Sequence, residues 1–515
     1  EEERARPISE SLPDKELNEN LETNGVIIDN LPVGSNAIAV NAPFTSDDAT
    51  RLAINSHQPT TGPVAWYEAH IQSEEGLNIM GGLFPSSPTI GVGFNENLAW
   101  GATVNKPDLV DIFALTTNAK EPDKYLLDGE WRSFREKTIK LKVKLFGFLP
   151  WQVKRKALYT EHGPAIETPH GTYAIRYAGM GEVKQIEQWL AMNKAANFEE
   201  WFAALAQHTF ASFIFVYSDK DGNIAFIHSS MTPVRIPGYN WHNYLPGDKS
   251  SLIWDSYISF EKLPMVINPS SGYLISANQS PFFVTSDKDN PDRKNYSNED
   301  GFPTRMTNRA VRGLELLSEL DKIDEQTFSD IKHDKKYSKN SRAYKYLEKA
   351  MLADLGDLNT QKHEIYANAQ TILKKWDLST DKSNRGAALG TCIIGAEWLA
   401  EQQGENPPDP SGELKRCTDL LLDKVGRIDP KWGKVNRHIR GEINVALGGG
   451  PDTLRAIYGL GLEEKGYLTN IAGDGLYYLV SWDKDKKQKV LGIHQFGSAT
   501  SVSYTHLRAH ETTDN

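Results

Sequence analysis

From residue 36 to about residue 115, apolar and polar positions alternate in short runs: NAIAV, RLAINSH, AWYEAHIQ, TIGVGF, LAWGATV and DLVDIFAL, with Gly, Asn and Pro between them. A period of two with such punctuation predicts β-strands joined by turns. Residues 125–180 continue the pattern with YLLDGEWRSF and TYAIRYAG. The period then changes. In IEQWLAMNKAANFEEWFAALAQH, Trp189, Met192, Phe198, Trp201 and Leu205 fall at helical spacing. SFIFVYSDKDGNIAFIHSS predicts two strands around the turn DKDGN, and GYLISANQSP predicts a strand that ends in a turn. Helical spacing returns over 305–375 and 391–425, PDTLRAIYG predicts a short helix, and GLYYLVSWD and QKVLGIHQFGSATS predict a return to strands. No internal repeat is visible. Strands and helices in blocks predict an α+β fold rather than βαβ alternation.

The two ends read differently from the middle. Residues 1–34 form a charged, Asn/Glu-rich spacer, and residues 501–515 read as an unrelated tail or a disordered terminus. The 515 residues allow two or three domains or one large one. The net charge of −11 argues against a nucleic-acid partner. One basic segment, KTIKLKVKLFGFLPWQVKRK, alternates lysine with apolar residues and predicts an exposed strand pair. A membrane-surface hairpin is the weaker reading of that segment, and no membrane partner is expected. No apolar run approaches the roughly 20 residues of a membrane-spanning helix. Two cysteines, Cys392 and Cys417, give no metal pattern and leave a single disulfide open. Aromatic residues make up 10% of the chain, which serves packing first and a ring- or chain-binding pocket second.

The segment LPVGSNAIAV holds the first candidate for chemistry. A mid-chain serine needs a base, usually histidine, and no G-x-S-x-G surrounds Ser35. An N-terminal serine carries its own base, an α-amine with a pKa of about 7.7–8.0, close to working pH. Cleavage of Gly34–Ser35 would create nucleophile and base together. A Gly-Ser pair alone is most often a turn.

The context changes the weight of that pair. GSNAIAV, INSHQP, GPVAWYEAHIQSEEG, GGLFPSSPTIGVGFNENLAWGATVNKPDLVDIF, INPSSGYLISANQSP and RMTNRAVRGLELL, in this order, resemble the β chain of the penicillin acylase family, N-terminal nucleophile hydrolases of amides. INSHQP and TVNKPDLVD are most similar to the acyl-homoserine-lactone acylase branch.

The resemblance implies a four-layer αββα sandwich with helical and β insertions, occupying residues 35–500 as a catalytic domain truncated at its C-terminal end. It implies Ser35 as the nucleophile freed by cleavage after Gly34, and His57 as the residue that orients and tunes the freed amine. It implies the Val104 backbone N–H and the Asn278 side-chain amide as oxyanion donors, each worth about 3–4 kcal/mol in amide hydrolysis. Arg305 matches an arginine that supports the constellation, with Arg309 as the competing assignment. Asp108, the Val110 carbonyl and Asp111 resemble part of a structural calcium site, with Asp287, Asp289 or Asp292 in the region of a further ligand. No organic cofactor is implied.

The family also has a smaller α chain ahead of the linker. Nothing similar precedes residue 30, so a missing α chain is expected as an obligate partner. The activity implied is hydrolysis of a linear N-acyl amide by a protein exported to the bacterial periplasm or secreted. N-acyl-homoserine lactones are the first-choice substrate; penicillins, cephalosporins or acyl lipopeptides are the alternative. A reading of another class is an inactive fragment or binding module on the same scaffold. It differs in not needing Ser35 as a chain end.

Overall fold

The computed structural model describes residues 34–357 and 359–498. The expected spacer, apart from Gly34, and the expected tail lie outside the described residues.

Two large sheets face each other. The first has eight strands, with Gly34–Val40 lying between Tyr273–Ser276 and Thr50–Pro59. Thr50–Pro59 pairs in turn with the long strand Leu468–Trp482, which also takes Ile457–Leu460 and Gln488–Ser498 as neighbours. The second has seven strands, centred on Ser212–Asp219 and Leu98–Thr103. Every residue of Gly34–Val40 is buried, which suits its small apolar run GSNAIAV. Ala37, Ala39, Leu52 and Ile54 of the first sheet pack against Val92, Ala99, Ile214 and Val216 of the second.

Helices cover the outer faces. Trp189 and Met192 of Gln185–Lys194, with Trp201 and Leu205 of Phe198–Leu205, pack on Trp100, Phe215, Tyr217 and Ile227 of the seven-stranded sheet. Leu317 of Asn308–Ser318, with Phe328 and Ile331 of Glu325–Lys332, covers Ile38, Val40, Ala53 and Ile275 of the other. The described residues also form a six-stranded sheet, a two-stranded sheet and a helical group with its own core. In the helical group a Cys392–Cys417 disulfide ties Ala387–Gln403 to Pro410–Val425.

The run with helical spacing over 186–208 forms two helices, because Asn197 leaves helical geometry and its side chain accepts from the Glu200 N–H at 2.8 Å, capping a new start. The sequence pattern misplaces one element. PDTLRAIYG is not a helix. Asp452 sits at φ 54°, which no helix tolerates, and Ile457–Leu460 instead pairs as a strand with Leu468–Trp482.

Candidate active site

Ser35 is the second residue of its strand. In the antiparallel pairing with Thr50–Pro59, Gly34 lies opposite His57 and Ser35 opposite Ser56. The Ser35 N–H donates to Asn278 Oδ1 at 2.8 Å, and the Ser35 hydroxyl donates to the Gly34 carbonyl oxygen at 2.5 Å. The serine oxygen is therefore folded back on the peptide bond that precedes it. Glycine at 34 has a spatial reason. A Cβ there would lie 3.2 Å from Arg309 Nη2, 3.3 Å from Asn278 Oδ1 and 3.3 Å from His57 Nδ1.

Asn278 follows the strand Tyr273–Ser276 and adopts the left-handed conformation, φ 66°, which asparagine accepts better than most side chains. That turn aims its amide into the cluster. Oδ1 accepts from Ser35 N–H and from Arg309 Nη2 at 2.9 Å, while Nδ2 donates to the Val104 carbonyl at 2.9 Å. A primary amide has two N–H groups, so one remains for another acceptor. Val104 directly follows the strand Leu98–Thr103, whose Thr103 hydroxyl is 2.7 Å from that of Ser276. This contact joins the two sheets just beneath Asn278.

Of the two candidate arginines, Arg309 occupies the centre. Its Nη1 donates to the Ser35 carbonyl at 2.6 Å and to Asn36 Oδ1 at 2.8 Å, and its Nε to Asp452 Oδ1 at 3.0 Å. Arg305 stands one layer out. It pairs with Glu401 and reaches only the Asn278 backbone carbonyl, at 3.4 Å.

His57 is fully buried. Its Nε2 lies 3.3 Å from Asp474 Oδ1, with the amide nitrogens of Asn55 at 3.1 Å and Asn36 at 3.3 Å. Each amide also donates elsewhere, Asn55 to Asp474 and Asn36 to the Leu454 carbonyl, and a proton on Nε2 faces the Asp474 carboxylate. Nδ1 has no hydrogen-bond partner among the described residues and faces Gly34. Burial, only partly opposed by Asp474, lowers the His57 pKa to about 4, so the ring is neutral at neutral pH. Burial would raise the Asp474 pKa, but Lys332 at 2.6 Å, Arg455 at 2.5 Å and His57 hold its carboxyl well below the usual range.

Ser35 and Val104 open onto a cavity of about 210 Å³, lined chiefly by apolar groups including Trp66, Phe84, Trp189, Phe210 and Phe213. Trp66 and Phe84 are stacked at 4.5 Å. The structure thus brings Ser35, His57, Val104 and Asn278 to one place. Sequence reasoning missed Asn36, Asp452 and Asp474, of which Asp452 and Asp474 arrive from distant segments of the chain. Asn36, next to the candidate serine, was the one with a local signal.

Asp108 and Asp111 also come together, but around a guanidinium. Asp111 Oδ2 accepts from Arg235 Nε at 3.1 Å, Arg235 Nη2 at 3.0 Å and the Trp254 indole at 2.6 Å. The Asp108 carbonyl accepts from Arg235 Nη2, and its carboxylate is 3.2 Å from Nη1. Asp289 is engaged by Ser270, Ser271 and Ser286, and Asp292 caps the Lys294 N–H. The Val110 side chain is half-exposed. Among the described residues no group of three or more His, Cys, Asp or Glu is placed to hold a metal ion. Arg235 supplies positive charge to both acids, while Asp111 Oδ1 is buried with no hydrogen-bond partner among the described residues, an acceptor that a hard cation would engage.

The fold is similar to that of a solved protein. The chain aligns with a thermostable penicillin G acylase from Alcaligenes faecalis over 91% of each chain, with a TM-score of 0.63 and 17% identity. That likeness establishes a mixed α/β fold. The penicillin amidase family model matches residues 1–508. This chain belongs to that family, whose members are hydrolases acting on amides.

It is 22% identical to the acyl-homoserine lactone acylase PvdQ of Pseudomonas fluorescens (strain Pf0-1), over 92% of this chain and 66% of that protein. It is 30% identical to penicillin G acylase of Escherichia coli over 55% of this chain and 31% of that protein. The chain thus spans about two thirds of the length of the first of these relatives. No helix among the described residues is long and apolar enough to cross a membrane.

Proposed function

We propose that this chain hydrolyses a linear N-acyl amide through Ser35, on the four-layer αββα sandwich of N-terminal nucleophile hydrolases. The observation that carries the reading is the Ser35 geometry: hydroxyl 2.5 Å from the Gly34 carbonyl oxygen, N–H fixed on Asn278, at the mouth of an apolar cavity. In maturation the hydroxyl oxygen bonds to the Gly34 carbonyl carbon, the Gly34–Ser35 C–N bond breaks, and the hydroxyl proton passes to the Ser35 nitrogen. The resulting ester is hydrolysed by water, leaving Ser35 with a free amine.

In turnover that amine takes the hydroxyl proton through a water and returns it to the leaving nitrogen. His57 Nδ1, uncharged and facing Gly34, accepts a hydrogen bond from the amine and keeps it near neutral pH. The spare N–H of Asn278 and the Val104 N–H hold the oxyanion. Water then cleaves the acyl-serine ester.

The cavity is smaller than the roughly 300–1,000 Å³ of sites for drug-sized ligands, so it suits one acyl group with the leaving amine outside. The relative named as an acyl-homoserine lactone acylase supports N-acyl-homoserine lactones as substrate. The stacked Trp66 and Phe84, which suit a ring-bearing acyl group, favour a penicillin-type substrate as the second reading. A smaller α chain completing the acyl pocket, and export to the periplasm, belong to the same proposal.

The test is the intact mass and N-terminal sequence of the protein expressed from its complete reading frame, followed by an acyl-amide screen. A new chain beginning Ser-Asn-Ala and acyl release, both lost in Ser35→Ala, support the proposal. Hydrolysis retained in Ser35→Ala refutes it.

A further inference from the structure

The basic segment of the sequence folds into a hairpin, Arg135–Leu145 against Leu149–Tyr159, and only its base joins a sheet, through Leu158 and Tyr159. Eleven residues per strand give it a length of about 36 Å. All of Arg135–Leu145 is exposed. The pleat sorts its side chains. One face carries Ile139, Leu141, Val143 and Leu145, paired across the strands with Arg155, Val153, Trp151 and Leu149. The opposite face carries Lys140, Lys142, Lys144, Lys154 and Lys156. Over residues 135–159 there are eight Lys and Arg against one acid, Glu136, in a chain whose net charge is −11.

The tip is more unusual still. Phe146 is 87% exposed and Phe148 77% exposed. Phe146 is held at φ 53°, a conformation that bulky residues avoid and that glycine or asparagine would adopt without strain. Two large aromatic side chains at a solvated, strained tip contribute nothing to packing the fold. A long apolar strand face without cover is ordinarily an aggregation hazard.

We propose that this hairpin docks the protein on an anionic lipid surface, contrary to the expectation of no membrane partner. The apolar face and the two tip phenylalanines enter the headgroup–acyl boundary, where aromatic rings partition well. The lysines, on long flexible stems, reach lipid phosphates. Charge complementarity selects this occupant. A second copy would bring two strongly basic hairpins edge to edge, where like charges repel. Nucleic acid would engage the lysines but leave Ile139, Leu141, Val143 and Leu145 without apolar cover. The docking involves none of the residues assigned to the candidate active site.

The experiment is co-sedimentation of the protein, expressed from its complete reading frame, with vesicles of phosphatidylcholine containing about 30 mol% phosphatidylglycerol, or of phosphatidylcholine alone. The expected result is binding to the anionic vesicles that falls at least about tenfold on neutral vesicles and in about 0.5 M salt. Phe146→Ser/Phe148→Ser and Lys140→Gln/Lys142→Gln/Lys144→Gln should each lower binding about tenfold, with thermal midpoint and amide hydrolysis in solution unchanged. Absence of binding by the unsubstituted protein overturns the proposal, as does binding that neither variant reduces. A dimer that the Phe146→Ser/Phe148→Ser variant dissolves, without vesicle binding, also overturns it by showing that the hairpin serves a second copy.

Discussion

Arg309 donates to the Ser35 carbonyl oxygen at 2.6 Å while its other terminal nitrogen holds Asn278 Oδ1 at 2.9 Å. One guanidinium therefore fixes both the strand that carries the candidate nucleophile and the amide that receives its N–H. Asp452, buried and 3.0 Å from Nε, sets the plane of the fork. Lysine has neither the plane nor the paired donors. Arg309→Lys should slow Gly34–Ser35 cleavage and turnover about 100-fold, whereas Arg305→Lys should change either by no more than about threefold. Mass spectrometry of a cleavage time course separates the two, and equal effects would remove Arg309 from the centre.

Asn278 combines a backbone role with a side-chain one, and substitution can separate them. Alanine at φ 66° adds strain of about 1 kcal/mol to the loss of the amide, whereas glycine loses the amide alone. Both Asn278→Ala and Asn278→Gly should lower the turnover rate at least about tenfold while leaving cleavage largely intact. Only the alanine variant should lower the thermal midpoint beyond the glycine one. Turnover at the unsubstituted rate in Asn278→Gly would show that the spare N–H does not contact the oxyanion.

Much of this could be read from the chain. The strand GSNAIAV, the hairpin around DKDGN and the helical blocks follow from periodicity and turn residues, which are local properties. Gly34, Ser35, His57 and Asn278 were found through ordered motifs, and the fold brings them within hydrogen-bond reach of one another or their shared neighbours. Asp474 was invisible because nothing near IAGDGLYY marks an acid that Lys332, from a helix more than a hundred residues earlier, neutralises. The same holds for Arg235. A cation that meets Asp108 and Asp111 across the fold leaves no pattern in sequence. The PDTLRAIYG reading failed because a left-handed Asp452, held by Arg309 and the Asn308 N–H, overrides local helical spacing.

Acid should destabilise the protein before any carboxylate of ordinary pKa titrates. Burial lowers the pKa of His57 and His162 to about 4 and that of His228 to about 3. Unfolding returns each to about 6.5, so the unfolded chain binds more protons and stability is lost as pH falls from 6.5 toward 4. Glu397, raised to about 7 by burial, acts in the opposite sense over the same range. For these four groups the net is about two protons, or roughly 3 kcal/mol per pH unit at the steepest, and burial lowers the pKa of His208, His333, His438 and His494 in the same direction. Urea midpoints between pH 7 and pH 5 should fall accordingly, and more steeply in Glu397→Gln. A flat profile would contradict the buried neutral histidines.

The pairing of Arg235 with Asp111 makes a prediction about metal dependence. The Asp111 carboxylate is buried, and its Oδ2 already takes three donors. Desolvation raises its pKa, and Arg235 is the charge that opposes this most strongly. Removing one partner of such a pair strands the other charge and costs about 3–5 kcal/mol. Arg235→Gln should therefore lower stability by about that amount, or leave the protein unfolded at physiological temperature. A chelator should leave the thermal midpoint of the unsubstituted protein unchanged. Arg235→Gln/Asp111→Asn, which removes both charges, should recover part of the loss. A midpoint that drops in chelator and returns with added calcium would show that a metal, rather than Arg235, balances these acids.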